Sequence, residues 1–410
     1  MKAVSLFFLT LFLYMAVPAQ RCAGIEYGQQ RMQRNPSLAA NIESIIQFQQ
    51  NNQLTSRLEG TVIKIPVVVH NLYHNPSEKI SDAQVNSQLA ALNACYRRRN
   101  ADTVNTPSYF KALGADCEIE FQLATADPRR RYTNGIVRKY TPITKWEADD
   151  QVKFASSMGD DAWDPKSYLN IWVCNLDRLA GYSSVIGDSL NRDGIVINLN
   201  AFGLTSNNDG YNLGKTAVHE VGHWLNLKHI WGDTYCGDDS VDDTPKQAGY
   251  NMGCPSGIRS TCGNAPTGDM YMNFMDFTND VCMNLFTRGQ KLRMRALFEP
   301  GGLRYSMLSS KGLSAPLIFE SPLPDADPQW LRPNLYPNPA QNQMTLDLAY
   351  DPRWVGTVFQ VCNLQGQVVM QIQVKAKIQT LDISQLRPGI YFLAAKKGDG
   401  ESYKQKFVKL

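Results

Sequence analysis

The spacing of apolar positions divides the chain. A mostly apolar run, Ala3 to Val17, stands between Met1-Lys2 and Pro18-Ala19 and reads as a signal peptide cleaved after Ala19. The run is short for a membrane span, and no later stretch reaches the ~18 apolar residues a span takes, so the mature chain is expected to be exported without a transmembrane segment. Arg21 ahead of Cys22 does not suit a lipoprotein signal. Residues 20–57 are rich in Gln, Asn and Arg and carry one helical spacing, Ile42, Ile45, Ile46 and Phe48. With so little core of its own, this stretch predicts a pro-segment.

From Thr61 the pattern becomes mixed α/β. Val62 to Asn71 predicts a buried strand, with Pro66 at an edge or bulge. Ser81 predicts the cap of a helix running to about Arg98 through Val85, Leu89, Leu92 and Tyr96. Cys117 to Ala124 alternates as a half-buried strand, Lys145 to Met158 reads as a helix, and Tyr168 to Asn175 as a central strand. Asp193 to Asn200 reads as an edge strand, and Leu213 to Leu225 as a helix. From Gly232 to Leu285 turn residues replace periodicity, and a loop region of that length is functional or held by something other than a core. Leu313 to Pro333 is a proline-rich linker. Met344 to Leu348, Val358 to Val374 and Ile390 to Lys396 then alternate as strands, with a hairpin turn at Asn363 to Gly366, predicting an all-β sandwich of ~75 residues.

Composition adds little to this outline. The net charge of +3 is nearly balanced, and Arg97-Arg98-Arg99 and Arg129-Arg130-Arg131 are short clusters, expected on solvated helix ends or loops; no nucleic-acid partner is expected. After loss of the signal about 390 residues remain, enough for two or three domains.

The chemistry concentrates in His219-Glu220-Val221-Gly222-His223-Trp224-Leu225-Asn226-Leu227-Lys228-His229, which holds three of the five histidines. On a helix His219 and His223 project from one face and can meet one ion, with Glu220 beside them as a base for an attacking water. His229 lies too far along to share that face, so the chain has to turn, and Asn226 is the residue most tolerant of the left-handed conformation such a turn needs. Three imidazoles leave tetrahedral zinc with one open position, the catalytic arrangement. A thiolate from Cys22 presented to that position would silence the site. Asp238, Asp239, Asp242 and Asp243, followed by Thr244, put four carboxylates in six residues; such a group is either a hydrated acidic turn or a calcium site. Of nine cysteines, Cys236, Cys254, Cys262 and Cys282 fall in the loop region, where export permits disulfides in any of three pairings. Cys95, Cys117, Cys174 and Cys362 lie in predicted helices or strands and are expected to be buried as small hydrophobes.

The motif resembles the long zinc signature of the metzincin endopeptidases, HExxHxxGxxH, with Asn226 in place of the glycine. Met275, in Asn273-Phe274-Met275-Asp276-Phe277, fits their methionine turn. The wording around both is similar to the pappalysin family in its bacterial branch, over roughly Ile63 to Leu308. The resemblance implies disulfides Cys236–Cys262 and Cys254–Cys282, calcium in the acidic loop, a latency role for Arg21-Cys22, and cutting before basic residues with Asp280 at the pocket floor. Phe277 departs from it, since many relatives have there a tyrosine that assists the transition state; Tyr271 is a candidate replacement. Leu335-Tyr336-Pro337-Asn338-Pro339-Ala340, Pro388-Gly389-Ile390-Tyr391 and the terminal Lys406 to Leu410 resemble the sorting domain of type IX secretion cargo.

The expectation is therefore a signal peptide (1–19), a pro-segment (20–57), an α/β (α+β) metzincin-like catalytic domain with a mixed sheet and an active-site helix (58–315), a linker (316–332) and an all-β sorting domain (333–410). The expected function is a secreted zinc endopeptidase made as a latent zymogen, acting on proteins or peptides and exported by secretion machinery. A weak or inactive binding protein on the same scaffold, and a zinc hydrolase of non-protein substrates, are the alternatives.

Overall fold

The computed structural model describes residues 20–53, 58, 60–207, 210–319, 333–348, 354–396 and 402–410. The signal-peptide reading lies outside the described residues. Chain order is β1 (Gln20–Cys22), α1 (Gly24–Arg34), α2 (Leu38–Asn52), β2 (Ile63–Tyr73), α3 (Asp82–Tyr96), a short α4 (Ser108–Lys111), β3 (Ile119–Leu123), β4 (Ile136–Tyr140), β5 (Leu169–Cys174), β6 (Leu179–Ser183), β7 (Ile195–Asn198), α5 (Lys215–Trp224) and α6 (Arg288–Ala296). After them come β8 (Asn334–Tyr336), β9 (Gln343–Asp347), β10 (Val358–Cys362), β11 (Val368–Gln373), β12 (Ile378–Asp382), β13 (Gly389–Lys396) and β14 (Ser402–Lys409).

The seven-stranded sheet runs β1-β6-β7-β5-β2-β3, with β4 also on β2. β2 pairs in parallel with β3, β4 and β5, and β5 with β7; the inner strands β2, β5 and β7 are buried on both faces and read as nearly continuous apolar runs, whereas β3 and β4 are half-buried. Pro66 is tolerated inside β2 because β5 joins only from Val67 onward, leaving Pro66 a partner on β3 alone. One face is covered by α3 and α5, whose Val85, Leu89, Leu92, Val218 and Val221 join Ile65, Val67, Ile171 and Ile197 in the main core. Ser81 caps α3 as its type predicts, its hydroxyl accepting from the Gln84 N–H at 3.1 Å. The opposite face carries Trp172, Tyr182 and Val196, and Tyr27 of α1 packs there.

Two expectations fail. Lys145 to Met158 forms no α-helix but two single 3-10 turns, Gln151–Lys153 and Ala155–Ser157. Asp150 takes φ +70°, which turns the buried Lys153 ammonium back onto its carboxylate at 2.9 Å and onto the Arg192 carbonyl at 2.8 Å. A buried charge paired in this way outweighs local helical periodicity. The expected edge strand, β7, is interior. The sheet ends instead in β6, which runs antiparallel to β7 and is covered by β1 from the N-terminal segment. The arginine clusters are engaged with acids: Arg97 with Asp116 and Glu120, Arg131 with Asp127.

The C-terminal unit has its own core, including Leu346, Phe359, Val361, Leu393 and Phe407. It consists of antiparallel sheets ordered β11-β10-β13-β14 and β12-β9-β8. The predicted Asn363 to Gly366 turn joins β10 to β11, with the Gly366 N–H donating to the Asn363 carbonyl at 3.0 Å.

Candidate active site

α5 begins where Gly214 adopts φ +75°. There Asp280, fully buried, accepts from the backbone N–H groups of Leu213 at 2.9 Å and Lys215 at 3.1 Å. An acid at this end complements both the unpaired N–H groups and the helix dipole. One and two turns on, His219 and His223 share a face. α5 stops at Trp224, and Asn226 turns the chain with φ +63°, as its side chain allows. His229 thereby returns to the other two rings.

Each imidazole is oriented through Nδ1. His219 donates to the Phe274 carbonyl at 2.7 Å, His223 to the Leu227 carbonyl at 2.8 Å, and His229 to the Asp233 carboxylate. The Nε2 atoms then carry lone pairs. They converge, with His223 Nε2 3.0 Å from that of His219 and 3.1 Å from that of His229. Burial, with the neighbouring rings adding to it, pushes His219 well below the ordinary imidazole range and His223 down to about 3. Three neutral rings aiming lone pairs at one point are mutually repulsive unless a cation lies between them, so the donor set fits a metal and suits zinc. Cys22 Sγ completes the group. It is the one cluster of three or more His, Cys, Asp or Glu ligand atoms among the described residues, all within 4.8 Å of one another.

Met275 lies directly beneath. A Cβ on Gly222 would fall 2.5 Å from Met275 Sδ, so the helix can rest on the methionine only with glycine there. The turn also ties the motif together, Phe274 through His219 and the Met275 carbonyl through the Ile230 N–H at 3.2 Å. Glu220 is fully buried beneath β6, where a Cβ on Gly181 would stand 3.2 Å from Glu220 Cγ. Burial raises its carboxyl to about 8, with Cys22 and Arg21 opposing the rise. Burial also raises the Cys22 thiol, and Glu220 adds to that.

The N-terminal segment fills the cleft. Cys22 pairs with Gly181 across the β1–β6 ladder, which is parallel, and the Ala23 N–H donates to the Gly181 carbonyl at 3.3 Å. Arg21 is buried, with Nη1 donating to the Thr278 carbonyl at 2.6 Å and Nη2 to Asp280 Oδ1 at 2.9 Å. Val281 is 62 % exposed and forms no floor there. Phe277 sits over the ligands, its ring centroid 5.6 Å from His219 and 4.9 Å from His229.

The peptidase family described as pregnancy-associated plasma protein-A matches residues 153–299, and the secretion system C-terminal sorting domain matches 334–410. An extracellular metalloprotease of Colletotrichum graminicola is 30% identical over 277 residues, covering 65% of this chain and 90% of its own. One from Pyricularia oryzae is 51% identical over 89 residues, 22% of this chain and 31% of its own. The chain thus spans about a third of the length of the first curated relatives it matches. Among solved structures, a promirolysin mutant from Tannerella forsythia is 44% identical, with TM-score 0.65, covering 71% of this chain and 97% of that one. The chain belongs to the pappalysin family. Mature mirolysin in complex with a cleaved peptide is also similar, at 49% identity and TM-score 0.59 over 60% of this chain and 96% of that one.

Outside the His219, His223, His229 and Cys22 cluster the predicted residues separate. Both pappalysin-type disulfides form, Cys236–Cys262 and Cys254–Cys282, the second joining the loop to the turn at Asp280–Cys282. Cys95, Cys117 and Cys174 are buried, whereas Cys362 is only half-buried. The acidic loop does not gather. Asp243 accepts from the Thr287 hydroxyl at 2.6 Å and the Gly289 N–H at 2.9 Å at the start of α6, Asp239 turns inward to the Thr244 hydroxyl at 2.9 Å, and Asp238 and Asp242 are exposed. Tyr271 packs into the apolar cluster that holds Trp231 and Phe277. Sequence reasoning missed Asp233, whose spacing four residues after His229 was the available signal. It also missed Asp276, which holds the loop through Gln247 and Asn251.

Proposed function

We propose that the protein is a secreted zinc endopeptidase made as a latent zymogen. The observation that carries this is the convergence of three imidazole Nε2 atoms beside a buried Glu220, with Cys22 as the fourth donor. His219, His223 and His229 would hold the zinc, which when bound supplies a Lewis acid for the scissile carbonyl and a lowered pKa for the attacking water. The rest falls to the chain's own groups. Glu220 takes the proton of the attacking water and returns it to the leaving amine. The edge of β6, freed of β1, offers main-chain donors and acceptors to an extended peptide. Asp280, bonded to the first N–H groups of α5, receives a basic side chain where Arg21 now lies, so cleavage is expected beside Arg or Lys. Phe277 contributes no donor, so stabilising the oxyanion would fall to the metal that His219, His223 and His229 would hold. Calcium in the acidic loop is supported by family likeness. The C-terminal unit directs the chain to type IX export.

The test is Glu220→Ala. It should leave one zinc per chain and lower hydrolysis of casein by ~10²-fold or more; substantial activity in a metal-replete variant overturns the mechanism. Phe277 favours a second reading, a zinc-loaded binding protein on the same scaffold. The matured wild type would then hold zinc but leave casein and gelatin intact.

A further inference from the structure

The pro-segment places more than Arg21 and Cys22 in the cleft. Beyond Cys22 the chain stays against the ligands through Gly24, whose N–H donates to Cys22 Sγ at 3.2 Å. A Cβ there would lie 3.8 Å from His229 Cε1 and 3.9 Å from His223 Nε2. The next side chain, Ile25, leaves the metal ligands for an apolar wall. It is half-buried against the cluster of Phe110, Ile230, Trp231, Met270, Met272 and Leu285, joined by the partly exposed Leu113, Tyr271 and Phe277. The wall starts at the third ligand itself. Trp231 stacks on His229 at 4.4 Å with 6° between the rings, and Phe277 meets Trp231 edge-on at 5.0 Å.

The two side chains bracketing the blocked centre thus enter receptors of opposite chemistry. Arg21 meets a buried carboxylate and a carbonyl, while Ile25 meets rings and aliphatic groups. Once the pro-segment leaves, the Asp280 pocket and this wall both open onto the cleft. A partly exposed aromatic surface beside a catalytic centre gains free energy by covering itself with apolar atoms. A peptide lying in the cleft is the species positioned to provide them. Ile25, an aliphatic side chain already seated there, shows that the wall accepts one.

We propose that this wall, built on Trp231, Tyr271 and Phe277, is a substrate subsite for an aliphatic side chain, so that the mature protein reads two residues of its substrate, a basic one at Asp280 and an aliphatic one at the wall. The inference rests on the endopeptidase reading above. It names a specificity element that the zinc motif and the acidic pocket do not supply.

The experiment uses the full chain after its natural maturation, loaded with zinc. Peptides carrying one Arg are varied among Ala, Ile and Asp at each of the four positions on either side of it. One position should favour Ile over Ala by about tenfold in kcat/KM, largely through KM, and should disfavour Asp, as expected for a few methylenes in an apolar site. In Tyr271→Asp the Ile-to-Ala ratio at that position should fall toward one, while the preference for Arg over Ala at the basic position persists and shows that the variant is folded. Cleavage that depends on Arg but is flat for Ile, Ala and Asp everywhere overturns the subsite and leaves the endopeptidase reading intact. If no peptide is cut, the endopeptidase reading fails; competition binding of the Ile and Ala peptides to the same matured protein then decides the subsite, and equal affinity overturns it.

Discussion

His229 is the ligand with the least help from α5, and a carboxylate compensates. Its Nδ1 donates to Asp233, four residues along on a loop position with φ +61°. His219 and His223 use backbone carbonyls for the same purpose, which no substitution can remove, so Asp233 is the one orienting acceptor in the set that mutation can delete. Asp233→Ala is expected to weaken zinc binding by 10- to 100-fold, the usual scale for an outer partner of a ligating histidine. Competition against a chelator of known affinity reads this directly, and unchanged affinity would show that the ring is held by its stack on Trp231 alone. The contrast with Asn226 shows what was legible at this scale. An asparagine in the glycine position of a zinc motif announces a left-handed turn, and φ is +63°. Asp233 announces nothing, because an acid beside an acidic loop looks like surface.

Among elements, α2 is the less obvious lock. Gln49 is fully buried in the pro-segment; its Nε2 donates to the Arg293 carbonyl at 2.8 Å, and its Oε1 accepts from Asn226 Nδ2. Arg293 Nε in turn donates to the Asn226 carbonyl at 2.9 Å. The turn between the second and third ligands is thereby bonded to the pro-segment as well as to α6. Gln49→Ala leaves Asn226 and Arg293 with buried polar groups unpaired, at a cost of about 1–3 kcal/mol. The precursor should melt lower, and the mature protein, which lacks α2, should melt unchanged. An equal fall in both would place the effect elsewhere. Periodicity foretold α2 but not its partners, since contacts 177 and 244 residues apart in sequence leave no local trace. The same limit hid β6: Leu179–Ser183, a five-residue strand with a central glycine, has too little apolar patterning to stand out, so β7 was expected at the edge instead.

The acidic loop gives a prediction of its own at this scale. Burial lifts Asp239 from its ordinary value of 3.8 to about 7. A carboxyl that titrates higher in the folded than in the unfolded chain makes the fold less stable as pH rises from about 4 to about 7, and the loss is complete above that. A calcium ion bound to Asp239 would reverse this by holding it ionised. The rise in melting temperature between strong chelation and millimolar calcium, with zinc held constant, should therefore be larger at pH 8 than at pH 5.5. No shift at either pH would leave the loop a hydrated acidic turn.

At the scale of the whole molecule, the C-terminal unit has its own core, distinct from the main one, and residues 20–53, which precede both in sequence, lie against the cleft. The metal motif and the β-rich tail could be read from the sequence because each is written in closely spaced residues, whereas the pairing of the loop cysteines, 26 and 28 residues apart, came from the family resemblance. The way the pro-segment crosses the cleft could not, because it depends on where β6 ends the sheet. Latency rests on several contacts at once: β1 on the β6 edge, Arg21 on Asp280, Cys22 among the imidazoles, Tyr27 donating to Asp150 at 2.7 Å and Arg31 bound to Asp188. On the zymogen reading Cys22 would contribute a metal ligand, whereas the others contribute adhesion. Cys22→Ala should therefore leave the precursor folded, with α1 and α2 still docked, but with the centre open to water, and it should mature early with zinc present. The end of the 20–57 segment lies outside the described residues, and its sequence offers a basic site between Ser56 and Arg57. It follows α2 closely, and a protease favouring Arg could cut there itself. The maturation time courses of the two precursors, read with the N-terminal residue of each product, decide the matter. Equal rates would assign latency to adhesion alone, and a product beginning far from Arg57 would move the boundary.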